Sequence, residues 1–167
     1  MANLSEFTRY KKLIARAICN DAECVSLITN TSSPTVPAYN LIESVDEAGI
    51  HNNGQVHLYD YVPGTEEEGV VHVCIEVEDM NTINCAVGYY EIHVDIIVPE
   101  NLMVMYGKIR RDALAAAIDR LLNGRTDFGF DRLERKRGGG NFIAVNKWRG
   151  KELIYGNKDF NRSGANL

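Results

Sequence analysis

Strict alternation of apolar and polar residues marks two strands in the middle of the chain. From Val70 to Glu78, residues Val71, Val73, Ile75 and Val77 share one face, and His72, Cys74, Glu76 and Glu78 the other. From Tyr89 to Val98, residues Tyr90, Ile92, Val94, Ile96 and Val98 turn inward, while Tyr89, Glu91, His93 and Asp95 turn outward. A period of two over this length predicts half-buried antiparallel strands. Helical spacing governs the N-terminus instead. Leu4, Phe7, Ile14, Ala17 and Ile18 predict a helix ending near Cys19, and Asp21 is placed to cap a short second one carrying Val25, Leu27 and Ile28. A further stripe, Ile109, Leu114, Ala117, Ile118, Leu121 and Leu122, predicts a long amphipathic helix from Gly107 to Asn123, closed by Gly124.

Turn chemistry fills the intervals. Asn30 to Pro37 reads as a loop, and His51-Asn52-Asn53-Gly54 as a turn before a short strand, Gln55 to Tyr61. Pro63 to Gly69 is an acidic loop, and Pro99 ends the third strand. Beyond the long helix come Arg132 to Lys136, a tri-glycine turn at Gly138 to Gly140, and a strand from Phe142 to Trp148. The segment Trp148-Arg149-Gly150-Lys151 is expected to turn that strand back into Glu152 to Tyr155. The fold class that follows is α+β: a mainly antiparallel sheet with an N-terminal helical segment and one long amphipathic helix packed on it. Residues 1–167 are expected to form a single domain, with the helical segment at about 4–29, a strand-rich body at about 55–160 and a loose tail at 162–167.

Composition narrows the class. A 45% apolar and 25% charged content is that of an ordinary soluble protein. No run approaches the roughly 20 apolar residues of a membrane span, so no membrane partner is expected. Residues 1–12 contain no apolar signal region. Cys19, Cys24, Cys74 and Cys85 form no C-x-x-C pair and read as reduced thiols of a cytosolic product.

Charge changes the picture more. Residues 1–100 carry four basic and sixteen acidic side chains, a net of −12, whereas residues 101–167 carry fourteen and seven, a net of +7. An acidic end and a basic end favour head-to-tail contact between copies, which closes into rings or runs on as filaments. The alternative is that the charges mix on folding, because sequence halves need not be spatial halves. The candidate contact residues are the acidic Glu66, Glu67 and Glu68 on one side, and Arg132, Arg135, Lys136, Arg137, Arg149 and Lys151 on the other. The basic set also suits nucleic-acid phosphates, although a sequence pI of 5.4 argues against an independent DNA-binding protein.

Candidate chemistry is sparse. If the two alternating strands pair, His72, Cys74 and Glu76 lie beside Glu91, His93 and Asp95, a donor set with the composition of a metal site. Such residues also occur on any solvated sheet face, and no second cluster supplies a water-activating base. No catalytic residue, cofactor or metal is therefore assigned. There is no P-loop, no G-x-G-x-x-G after a strand, no G-x-S-x-G and no H-E-x-x-H. The kinase-like triplet Asp127-Phe128-Gly129 lacks the rest of a kinase and reads as chance.

From Val56 to Phe160 the chain resembles the small tail-terminator or tail-completion proteins found at the neck of tailed bacteriophages. The resemblance is carried by Leu58 to Thr65, the strands Val70 to Glu78 and Glu91 to Val98, and the helix from Arg110 to Gly124. Phe128-Gly129-Phe130, Trp148 to Leu153 and Asp159-Phe160-Asn161 complete it. It implies a non-enzymatic virion protein, assembled in the host cytoplasm, that forms a homo-oligomeric and commonly hexameric ring. Such a ring terminates the tail tube, contacts the tail-tube protein and a head-closure or connector protein, and passes DNA through its lumen without sequence-specific contact. A head-closure or adaptor ring is the alternative within the same class. A metal-dependent enzyme on the His72, Cys74 and His93 face, or a small nucleic-acid-binding protein, is the alternative outside it.

Overall fold

The two alternating segments form two long neighbouring strands of the main sheet. A computed structural model describes residues 4–45, 51–52, 54–64, 69–82, 87–129, 131–145 and 147–160. In chain order the helices are α1 (Leu4–Asn20), α2 (Ala22–Thr29) and α3 (Arg110–Leu122). The strands are β1 (Ser44–Val45), β2 (His51–Asn52), β3 (Val56–His57), β4 (His72–Thr82), β5 (Val87–Pro99), β6 (Val104–Met105), β7 (Lys108–Ile109), β8 (Glu134–Arg135), β9 (Asn141–Ile143) and β10 (Trp148–Phe160). The main sheet runs β3-β4-β5-β10-β8, with β9 also paired to β10. All its pairings are antiparallel except β3 with β4. The fold is α+β.

One face of this sheet carries the main core. Val71, Val73, Ile75 and Val77 from β4 and its approach, Tyr90, Ile92, Val94, Ile96 and Val98 from β5, and Leu153 and Tyr155 from β10 are all buried. They pack with Phe7, Tyr10, Ile14 and Ile18 of α1, Val25 and Ile28 of α2, and Leu114, Ile118 and Leu122 of α3. Every inward position expected on the two alternating strands is inward. Asp21 caps α2 by accepting a hydrogen bond from the Cys24 amide at 2.9 Å, which satisfies one of the orphan donors of the first turn. Asn30 ends the helix in the left-handed conformation (φ 58°).

Three expectations are corrected. The helix expected from Gly107 begins at Arg110, because Tyr106 (φ 50°) and Gly107 (φ 73°) form a tight turn that folds Val104–Met105 back on Lys108–Ile109. Ile109 therefore leaves the helical stripe and lies exposed. Trp148 to Lys151 is the start of the thirteen-residue strand β10, paired along its whole length with β5, and is no turn. Gly150 is the reason: it is a strand glycine over which the Phe142 ring lies, so a Cβ there would enter the ring. Finally, the tri-glycine segment does not join two strands of a hairpin. β8 and β9 both pair with β10, at Tyr155–Gly156 and Arg149–Lys151 respectively, so Gly138 to Gly140 bridges two pieces of one interrupted edge.

The charge split mixes on folding. β10 from the basic half lies between β5 from the acidic half and the short edge strands. Arg120 of α3 pairs with Asp21 and Glu23 at the start of α2, and Arg149 pairs with Glu100. The two sequence halves are not two poles of the molecule.

Candidate interaction surface on the open sheet face

The face of the sheet turned away from the helices is built in cross-strand rows. Register places Cys74 beside Asp95 and Asp95 beside Glu152. The next rows are Glu76, His93 and Ile154, then Glu78, Glu91 and Gly156. The expected meeting of His72, Cys74 and Glu76 with Glu91, His93 and Asp95 is realised in register for Cys74–Asp95 and Glu76–His93. His72 instead faces Ile97, and Glu91 faces Glu78. Among the described residues, no group of three or more His, Cys, Asp or Glu side chains is arranged to hold a metal ion.

His93 sits among carboxylates. Its Nδ1 lies 2.8 Å from Glu152 Oε1, and its Nε2 faces Glu91 at 3.7 Å and Glu78 at 4.0 Å. Glu76 is met instead by Lys11 of α1 at 2.6 Å, and Lys11 also donates to the Leu58 carbonyl. The stripe from Glu78 to Asp95 is therefore acidic, with one imidazole at its centre.

Next to it lies a small second core. Cys74, Ile97 and Trp148 are buried, with Tyr61, Phe142, Ala144 and Val145 packed against them. Its wall is a chain of polar contacts. Glu43 Oε2 meets His57 Nδ1 at 2.5 Å, and His57 Nε2 meets His72 Nδ1 at 2.9 Å. Tyr61 stacks on the His57 ring at 4.1 Å, and the Tyr59 hydroxyl donates to Glu43 at 2.6 Å. A carboxylate–histidine–histidine series resembles a proton relay, but a relay needs a nucleophile to activate. The nearest is Cys74, two residues along β4. Burial pushes its thiol up to about 12, so it is a protonated, inert packing group.

Between the acidic stripe and this core opens a pocket of 340 Å³, lined among others by Asp60, Tyr61, Val62, Asp95, Phe142 and Ile143. Asp95 is the carboxylate in it whose titration is strongly perturbed. Burial, reinforced by the charges of Glu152 and Asp60 and opposed by His93, raises its carboxyl from 3.8 to about 6. Its Oδ1 is buried with no hydrogen-bond partner among the described residues. The folded state thus holds this proton more tightly than the unfolded chain. Below 3.8 both states are protonated and the penalty is absent; it grows as pH rises toward 6 and is complete above it. Asp95→Asn is expected to raise the thermal midpoint at about pH 8 and to leave it nearly unchanged at about pH 3.5. Parallel melting curves across that range check this, and an equal shift at both ends would remove the ionisation of Asp95 as the cause.

The basic candidates do not make one patch. Arg132 and Arg137 are exposed. Arg135 lies over the Tyr155 ring at 5.5 Å on the helix side of the sheet, whereas Lys136 lies over the Tyr89 ring at 5.3 Å on the open side. Arg149 is paired to Glu100, and Lys151 to Asp112 at 2.9 Å. Arg135 faces Tyr155 in register, six residues from Arg149 along β10, so roughly 20 Å separates them. Glu66, Glu67 and Glu68 lie outside the described residues.

Sequence reasoning missed the Glu43–His57–His72 series, because Glu43 stands in the stretch from Tyr39 to Ala48, which has neither a clear helical nor a clear strand period. It also missed Arg110, whose buried guanidinium donates to the Leu27 carbonyl at 3.4 Å and to Asn30. Arg110 stands at the start of a helical stripe, where an arginine ordinarily reads as solvated.

Among the described residues, fold and surface together define an α+β unit in which three α-helices pack on one face of a six-stranded sheet and leave the other face free of helices. The chain belongs to the YomW family, whose sequence model matches residues 14–157. No curated protein matches it. Among solved structures it is similar to a chain of the "Virion of native gene transfer agent (GTA) particle", with 21% identity and a TM-score of 0.43 over 64% of this chain and 78% of that one. Among the described residues, no helix is long and apolar enough to cross a membrane.

Proposed function

We propose that this protein is a structural component of a virion, and that it works as a ring-forming subunit at the neck of a tailed phage. In this reading it ends the tail tube, docks on the head-closure ring and lets DNA pass through its lumen. It performs no catalysis. The observation that carries the proposal is the open face of the β4-β5-β10 sheet, where cross-strand rows of carboxylates run beside a half-buried apolar pocket. The tail-terminator resemblance described above points the same way.

A carboxylate-rich face suits both demands of such a ring. Turned toward the lumen, it repels phosphate and lets DNA slide. Turned toward a neighbour, it sets register and the rate of docking more than affinity. Among the described residues of this region, the Cys74 thiol is held protonated by burial and is not an activated nucleophile.

The test is the mass of the purified protein by native mass spectrometry or light scattering at low and high salt, followed by incubation with isolated tail tubes. A closed ring near six subunits, alone or seated on tube ends, is expected. A monomer at every salt that also ignores tube ends would overturn the reading. Capture by portal-bearing heads in place of tubes would move the protein one ring up, to the adaptor position.

A further inference from the structure

The hairpin β6–β7 presents a cluster of exposed apolar side chains. Val104 is 67% exposed, Tyr106 75% and Ile109 45%, and Lys108 is exposed beside them. The base of the projection is anchored. Met105 is buried in the main core, the Arg110 amide donates to the Met103 carbonyl at 2.7 Å, and the turn has positive φ at both Tyr106 and Gly107. Such a turn matches the twist of the paired strands, which hold the tyrosine at the tip of the hairpin. A large side chain fixed by its backbone in water is the kind of anchor that dominates protein contacts.

The molecule also holds a cavity of matching character elsewhere. The 340 Å³ pocket has an apolar wall of Tyr61 and Phe142, a rim of Val62 and Ile143 that are 67% and 68% exposed, and two carboxylates, Asp60 and Asp95. Asp95 Oδ1 is buried there without a donor among the described residues. The hairpin, by contrast, brings one hydroxyl donor, one ammonium and an apolar surround.

We propose that the Tyr106 hairpin of one copy seats in the Asp95 pocket of a second copy, with the tyrosine ring against Phe142 and Ile143, and with its hydroxyl and Lys108 facing Asp95 and Asp60. This deepens, and rests on, the ring reading. Knob and pocket are different surfaces of the subunit: the hairpin follows β5 and packs with the helix-side core, while the pocket opens on the other sheet face. A contact between two different surfaces is heterologous, so it propagates and closes into a ring where the rotation allows. Complementary charge fixes which way round the knob enters.

The experiment uses Tyr106→Ser, which removes the knob, and Ile143→Asp, which spoils the rim, each checked by its melting curve for an unchanged fold. Each variant alone is expected to need at least about tenfold more protein for half-assembly, since central aromatic anchors carry most of such a contact. An equimolar mixture retains one sound knob and one sound pocket between two chains and is expected to stop at a one-to-one heterodimer by native mass spectrometry. If both variants form the wild-type ring, or the mixture remains monomeric while wild type assembles, the contact is wrong and the ring reading stands. If wild type itself forms no ring alone or on tail tubes, the ring reading fails and takes the contact with it.

Discussion

Truncating Ile118 to alanine is expected to destabilise the protein by about 2–5 kcal/mol. Ile118 is 0% exposed in the middle of α3, between Leu114 and Leu122, in the core that α1, α2, β4, β5 and β10 share. Removing its branched side chain loses the transfer free energy of the deleted carbons and leaves a cavity that a sheet and three helices cannot collapse to fill. A domain of this kind is stable by only about 5–15 kcal/mol, so the change consumes a large fraction. Urea denaturation measures it as a lower midpoint at unchanged slope. Ile109→Ala is the contrast. The same helical spacing included Ile109 in the stripe, but it lies exposed on β7, and a change of no more than about 0.5 kcal/mol is expected. Equal midpoints for the two variants would show that α3 does not bury the face described.

Gly129→Ala is expected to cost about 2–5 kcal/mol, by a different route. Gly129 has φ +90°, a region that side chains avoid, and a Cβ there would land on the Lys158 carbonyl oxygen of β10. The neighbouring Phe128 is 0% exposed, and its carbonyl accepts from the Tyr90 hydroxyl at 2.5 Å and from the Asn157 amide. Pushing the loop off β10 therefore strands two buried donors as well as straining the backbone. Gly124→Ala separates the two effects: Gly124 has φ +86° but nothing within 4 Å of a built Cβ, so about 1–2 kcal/mol is expected from conformation alone. If both substitutions cost the same, the close approach to β10 contributes nothing. Asp127-Phe128-Gly129, a chance match to a kinase triplet in the sequence, thus forms a strap across the end of the sheet with Phe128 buried at its middle.

Much of the fold was legible. β4 and β5 were readable because a strand half-covered by core must alternate, and the eight-residue alternation from Val71 to Glu78 is incompatible with the 3.6-residue period of a helix. α1 and α2 were readable from spacing and from the Asp21 cap. β10 was not, because Gly150 and Gly156 stand where its open face is covered by the Phe142 and Tyr89 side chains, and glycine without that context reads as a turn. β8 was found, but the strand expected from Phe142 to Trp148 is only Asn141–Ile143, because the Trp148 amide already turns back to the Val145 carbonyl; neither was seen as a piece of one edge, since that depends on what lies across from them.

The candidate site was less legible. The acidic positions Glu78, Glu91 and Asp95 were visible as the polar half of the alternation, yet Glu152 joined them only through the β5–β10 register. The basic run looked like one patch in sequence. Alternation along β8 and β10, however, sends Arg135 and Lys136 to opposite faces and sets Arg149 far along the strand.

The sequence alone determined which residues face inward on each element, because period two and period 3.6 are local consequences of backbone geometry. It also determined the acidic character of the open face. Tertiary structure alone decided that the two charged halves interleave, that a pocket forms around Asp95, and that the Tyr106 hairpin stands clear of the body. Those properties depend on long-range register and on which face the helices cover. Both are set by the burial of the whole core rather than by any one segment.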